Sequence, residues 1–199
     1  MKIILVRHGQ TFENVSGVMQ GQDELLGRLT PLGVAQAEKL AERLASEKID
    51  MIFSSDLNRA VKTAGAISQF HDVPFYVTSD LRERNYGALT GCLKEKLFEE
   101  IDSAGLTEVS LRPLDGENYH DVRIRGQKFL NRLLKEYPSK TVLMVAHGGY
   151  NRAFLSAALN VPLDEMFSIS QGNTCVNIIE FDENGIGKEV LIDCTVHLD

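Results

Sequence analysis

Thr141-Val-Leu-Met-Val-Ala-His-Gly-Gly149 is a short apolar run that stops abruptly at a histidine and two glycines. A run of this length, bounded by a breaker, reads as a central strand buried on both faces. Lys2-Ile-Ile-Leu-Val6 reads the same way and runs into Arg7-His8-Gly9. Between these two strands the pattern alternates. Thr30-Pro31 is an N-cap followed by proline in the first turn, and Leu32, Ala35, Leu40 and Leu44 continue at helical spacing. Met51-Ile-Phe53 is a further strand, after which Ser55 caps a helix with the stripe Leu57, Val61, Ala64 and Ile67. Pro74 to Val77 is a third strand in this part of the chain.

The pattern loosens between Leu81 and Asn118. Lys94 to Ile101 reads as a short helix, and Ala104 to Gly116 has no clear period. Asn118 caps a longer helix with Val122, Phe129, Leu133 and Tyr137 on one face, and an apolar helix follows His147 as far as Leu159. Cys175 to Phe181 and Glu189 to Ile192 flank Asn184-Gly185, a hairpin turn within a longer loop. Such alternation predicts an α/β fold of three layers, αβα, with a mainly parallel sheet, helices on both faces and a hairpin at one end. No repeat or linker interrupts the chain, so one domain over residues 1–199 is expected. Ligand sites on such sheets lie beyond the carboxyl ends of the strands.

Composition narrows the function. The 199 residues carry a net charge of -7 with 43% hydrophobic residues, the balance of an ordinary globular protein. No basic stripe serves a nucleic acid or an anionic membrane. The longest apolar runs fall far short of a membrane span, and the first of them ends at Arg7 without a signal-peptide pattern. Three scattered cysteines, Cys92, Cys175 and Cys194, suit reduced thiols in a cytoplasm better than a disulfide framework.

Polar residues at the strand ends carry the chemistry. His8 and His147 each follow a strand directly and precede glycine, which lets a backbone approach a ligand closely. Gly148 and Gly149 also open a helix, whose free N–H groups and dipole favour an anion. Arg59 lies in the first turn of its helix, where the dipole opposes it by about 0.3–1 kcal/mol. A bound anion converts that penalty into attraction. Arg7 beside His8 adds a second forked cation on the same rim. Glu83 follows the third strand, and a carboxyl group beside a phosphate is held more easily in its neutral form, the form a general acid requires.

Leu5-Val-Arg-His-Gly-Gln-Thr11, Ser54-Ser-Asp-Leu-Asn-Arg59, Leu81-Arg-Glu-Arg84 and Val145-Ala-His-Gly-Gly149, in this order, resemble the motifs of the histidine phosphatase superfamily. The resemblance runs from about Lys2 to Phe181 and implies the phosphoglycerate mutase-like fold. It also implies a segment at about 82–117 that covers the substrate. By this resemblance His8 is the nucleophile that becomes phosphorylated. Arg7, Arg59 and His147 hold the phosphoryl oxygens, and Glu83 donates a proton to the leaving group. Asn14 matches a phosphate-contacting position, Gln20 and Gly21 lie in the neighbouring loop, and Gly148 lies beside His147. The implied reaction is metal-independent hydrolysis of small phosphorylated metabolites, with no cofactor. The sequence has no HExxH, CxxC or Walker-type loop.

Within the superfamily, Met19-Gln-Gly-Gln22, Leu81-Arg-Glu-Arg-Asn-Tyr-Gly87 and the stretch from Gly116 to Gly126 resemble the fructose-2,6-bisphosphatase and glycolysis-regulator branch. Asn118 stands where phosphatase branches often carry Ser or Thr, and Asp121 is placed to complete a capping box. Gln10 stands where many relatives carry Glu. Arg84, Tyr86, Lys94 and Arg112 are candidates for a second anionic group of the substrate. A cofactor-dependent phosphoglycerate mutase shares Glu83, Arg84, Tyr86, Gly87 and Lys94, but this chain has a short stretch from Leu93 to Arg112 without the paired arginines of mutases. The α-ribazole phosphatases share the core residues, and a non-catalytic phosphometabolite-binding protein is the reading from another class. Nothing in the sequence marks an oligomer interface.

Overall fold

The central strands are buried almost along their whole length, as a sheet covered on both faces requires. The computed structural model describes residues 1–199. Its strands are β1 (Lys2–Arg7), β2 (Met51–Ser55), β3 (Phe75–Thr78), β4 (Thr141–Ala146), β5 (Val176–Phe181) and β6 (Gly187–Cys194). Its helices are α1 (Phe12–Ser16), α2 (Pro31–Leu44), α3 (Asn58–Ser68), α4 (Lys94–Ala104), α5 (Tyr119–Glu136) and α6 (Gly148–Ala158). One six-stranded sheet has the order β3-β2-β4-β1-β5-β6. The first four strands in that order are parallel, and β5 and β6 add antiparallel partners beside β1.

Ile3 and Leu5 of β1, with Val142, Met144 and Ala146 of β4, join the larger core, which α5 and α6 cover with Val122, Phe129, Ala153 and Phe154. Ile4 and Val6, with Leu143 and Val145, face the opposite way into a second core, closed by Leu40, Leu44, Ala64 and Ile67 of α2 and α3. The three-layer α/β architecture therefore follows from strands that are apolar on both sides and send alternate residues into the two cores. Each such Leu or Ile contributes roughly 1.5–3 kcal/mol by leaving water. A small third core of Met19, Leu89, Leu97 and Leu111 lies under the segment around α4.

Local signals set most of the helix starts. Thr30 accepts from the Gly33 N–H with Pro31 in the first turn. Asn118 and Asp121 form both halves of a capping box at 3.1 and 2.9 Å, an arrangement worth about 1 kcal/mol. Two local expectations fail. Leu32 and Ala35 are exposed, and the inner face of α2 is Gly33, Ala37, Leu40, Ala41 and Leu44. Gly33 packs against the Gln10 backbone without room for a Cβ, which turns Leu32 outward. Ser55 does not cap α3 from the N-cap position, which Leu57 occupies without a side-chain bond. The Ser55 hydroxyl instead accepts from the Leu57 N–H and meets His147. No helix is long and apolar enough to cross a membrane.

Candidate active site

Parallel pairing of β1 with β4 sets Arg7 opposite Ala146, so the next residue on each chain segment, His8 and His147, meets at the rim. Their ring centroids lie 5.2 Å apart. His8 is buried, and its Nδ1 lies 2.7 Å from the Gly9 carbonyl. A donor N–H at Nδ1 fixes the tautomer and leaves the Nε2 lone pair unprotonated. Burial first, and then the charges of Arg59 and Arg7, hold the His8 pKa well below its ordinary value. His147 is shifted the same way by burial and by Arg59, so both rings are neutral at pH 7. Ser55 Oγ lies 2.9 Å from His147 Nε2, and Arg59 Nε donates to its Nδ1 at 3.1 Å.

The arginines are held but not spent. Arg59 is 1% exposed and also donates from Nη2 to the Gly21 carbonyl, while its Nη1 has no partner. Burial pulls its pKa down to about 10, so it remains a cation. Arg7 donates from Nη1 to the Gln171 carbonyl at 2.6 Å and leaves its Nε buried and unpaired. Buried guanidinium N–H groups without partners are costly and mark a place for an anion. A Cβ on Gly148 would lie 3.2 Å from Arg7 Nε and 3.4 Å from Arg152 Nη1, so two guanidinium groups flank this glycine. The Gly148 N–H, an orphan donor of the first turn of α6, belongs to the same wall.

Glu83 closes the other side. Its carboxylate accepts from the N–H groups of Arg84, Gly149 and Tyr150, each at 2.9 Å. Two N-terminal donors of α6, the N–H groups of Gly149 and Tyr150, thus serve a carboxylate of the chain itself, and that of Gly148 stays free for phosphate. These three bonds fix the position of the Glu83 carboxyl group at the cavity wall. Gly9 also differs from expectation. Its missing side chain makes room for the Gly33 backbone of α2, not for a ligand.

A cavity of about 270 Å³ opens beside these groups, and the buried His8, Arg59 and His147 lie behind its wall rather than in it. Of the sequence candidates, Arg7, Asn14, Gln20, Glu83, Tyr86, Lys94 and Gly148 line it. Asn14 Oδ1 accepts from Thr11 N and Asn173 Nδ2, both at 3.1 Å, which leaves the Asn14 NH2 group for a ligand. Gly21 acts through its carbonyl on Arg59 and is not in the cavity wall. Arg84 is a correction. It is fully buried away from the cavity and donates to the carbonyls of Glu117, Glu108 and Leu111, sandwiched by Tyr86 and Tyr119. Arg112 pairs with Asp121 on the surface, also outside the cavity. Gln10 bonds Gln36 and Thr30 near the start of α2.

Sequence reading missed Arg152, Glu108, Phe98 and Phe167, all in the cavity wall. Arg152 carried a signal, because it is the sole charged residue of α6. Glu108 sits in the stretch without a period and carried none. No cluster of His, Cys, Asp and Glu is arranged to hold a metal ion.

The chain matches the histidine phosphatase superfamily (branch 1) over residues 3–193. It is 35% identical to a metal-independent phosphoserine phosphatase of Arabidopsis thaliana over 76% of this chain, and spans 66% of that relative's length. It is 32% identical to a glucosyl-3-phosphoglycerate phosphatase of Mycobacterium tuberculosis, over 81% of this chain and 77% of the relative. A mutant phosphoserine phosphatase from Entamoeba histolytica, solved in complex with phosphoserine, superimposes with a TM-score of 0.86. It is 26% identical and covers 99% of this chain and 98% of its own. These relatives are phosphatases of small phosphorylated metabolites, and none of the three is a fructose-2,6-bisphosphatase. The chain belongs to the histidine phosphatase superfamily, branch 1, and is a phosphatase.

Proposed function

We propose that the chain hydrolyses a small phosphomonoester whose alcohol portion bears a carboxylate, through a phosphohistidine at His8. The observation that carries this reading is the pair of buried guanidinium groups, Arg7 and Arg59, each with an unpaired N–H and each acting by its charge on a neutral His8 whose Nε2 is free. Nε2 attacks phosphorus as the ester P–O bond breaks. Arg7, Arg59 and the Gly148 N–H take the nonbridging oxygens, where charge builds up, and His147 orients Arg59 by accepting from its Nε. Glu83 gives a proton to the leaving oxygen. Water then attacks the phosphohistidine with Glu83 as base, releasing inorganic phosphate and restoring His8.

The carboxylate preference rests on Lys94 and Arg152, two cations in the cavity wall, neither of which forms an ion pair. The fructose-2,6-bisphosphatase branch loses support, because Arg84 and Arg112, two of the expected contacts to a second anion, lie elsewhere. A volume of about 270 Å³ also lies below the ~300–1,000 Å³ of drug-sized sites. The small core around Leu89, Leu97 and Leu111 supports residues 82–117 as the substrate cover of a single domain over 1–199. Three free cysteines are consistent with a cytoplasmic location.

The test is phosphate release in EDTA from phosphoserine, phosphoglycerates, fructose bisphosphates and p-nitrophenyl phosphate, with His8→Ala as control. Acid-labile, base-stable labelling of wild-type protein is expected and should vanish in the variant. Release that survives in His8→Ala overturns the mechanism.

A further inference from the structure

Two acids line the cavity, Glu83 and Glu108, and they differ in their partners. Glu83 accepts its three backbone N–H groups. The Glu108 side chain has neither a hydrogen bond nor an ion pair, and only its backbone carbonyl is engaged, by Arg84. Glu108 is half-buried, so its carboxylate loses hydration without gaining a donor. That desolvation raises its pKa, against the attraction of Arg84, Lys94 and Arg152.

We infer that Glu108 is a specificity-determining residue, which accepts hydrogen bonds from an ammonium group on the substrate's alcohol portion. The inference rests on the proposed phosphomonoester site and deepens it. The order of groups along the wall supports it. Arg152 Nη1 and Arg7 Nε flank Gly148 at the phosphate end, and Arg152 shares the cavity wall with Glu108. Lys94 also acts on Glu108 from the start of α4. A short substrate with its phosphate on Arg7 and its carboxylate toward Arg152 and Lys94 then presents its third substituent to Glu108. A carboxylate has no N–H or O–H to donate, so it favours an ammonium over a hydroxyl, whose single proton it would hold without charge attraction. A cavity of cations alone would favour the trianionic phosphoglycerate, and the unpartnered Glu108 shifts the preference toward a substrate that carries an ammonium. The chemical class selected is a phosphorylated hydroxy-amino acid.

O-Phospho-L-serine and 3-phospho-L-glycerate have the same chain length and the same configuration at C2, and differ in ammonium against hydroxyl. Their kcat/KM ratio should favour phosphoserine in the wild type, and Glu108→Gln should lower that ratio at least tenfold, mainly through the phosphoserine KM. Glu108→Asp should recover part of it. An unchanged ratio in Glu108→Gln, or equal loss on both substrates, overturns the assignment. Wild-type protein that fails to hydrolyse p-nitrophenyl phosphate strikes the phosphatase reading instead. Calorimetric binding of the two compounds then decides Glu108, and an affinity ratio unmoved by Glu108→Gln overturns its role.

Discussion

Gly149 gives up its side chain to Glu83: a Cβ there would lie 2.6 Å from Glu83 Oε1, and the Gly149 N–H donates to Oε2 at 2.9 Å. The glycine of the His-Gly-Gly motif is therefore a constraint on the proposed acid. Gly149→Ala must push the carboxylate off the α6 N-terminus. The expected result is a fall in kcat of about 10²-fold on alkyl phosphates, the lower end of what a positioned acid contributes. Loss on p-nitrophenyl phosphate, whose leaving group needs little protonation, should be much smaller. Equal losses on both would remove Glu83 from the acid role.

Arg125 holds the loop segment that carries Glu83. It donates to the carbonyls of Asp80 and Arg82 at 2.9 and 2.8 Å and pairs with Glu117 at 3.2 Å. Arg125→Met should lower kcat more than it raises KM, and should cost about 2–3 kcal/mol of stability through the carbonyls it leaves unpaired. Arg125→Lys should restore part of both. Steady-state kinetics beside denaturant titration separates the two effects.

Arg84 is expected to matter for folding and not for the choice of substrate. Its guanidinium satisfies three carbonyls, those of Glu108, Leu111 and Glu117, and so ties the Glu83 end of the 82–117 segment to its far end. Arg84→Ala should destabilise by roughly 3 kcal/mol or more, since it leaves those groups buried and creates a cavity. In whatever fraction folds, the relative kcat/KM for mono- and dianionic metabolites should stay as in the wild type. A selective loss on substrates with a second anion would return Arg84 to the substrate site.

Activity should be retained well below pH 6.5 on the acid side, because both His8 and His147 have lowered pKa values. Arg59 is a cause of both shifts, and a neighbouring cation disfavours protonation. Replacing it with Met should move the acid limb of kcat/KM upward, toward ordinary histidine values. A downward or absent shift would contradict the electrostatic account.

Stability has its own pH dependence. His8 and His147 are lowered well below 6.5, and His197 is lowered to about 4, in each case first by burial. Below about pH 6.5 the unfolded chain takes up protons that the folded chain refuses, so the folded state loses stability as pH falls through this window. His147→Gln should flatten that slope in denaturant titrations between pH 6.5 and 4.

How far the sequence reaches is clear from individual residues. Asn118 with Asp121 and Thr30 with Pro31 are local devices, and the helices start where those residues say. The apolar runs Ile3 to Val6 and Val142 to Ala146 specify strands buried on both faces, because every residue in them must leave water. Leu32 escaped such reading because the Gly33–Gln10 approach, a contact between distant segments, rotates the first turn of α2.

The sequence by itself determined the element order, the doubly covered sheet and the chemical identities of the proposed nucleophile, acid and anion-binding groups, all of which are encoded locally. Tertiary structure decided which of them meet. The β1–β4 register brings His8 to His147, the N-terminus of α6 takes Glu83, and the aperiodic stretch before α5 sets Glu108 in the cavity while it consumes Arg84. An arginine or a glutamate has the same letter whether its donors and acceptors are free or spent. Only the three-dimensional count of partners separates a charge that waits for a ligand from one that holds the fold together.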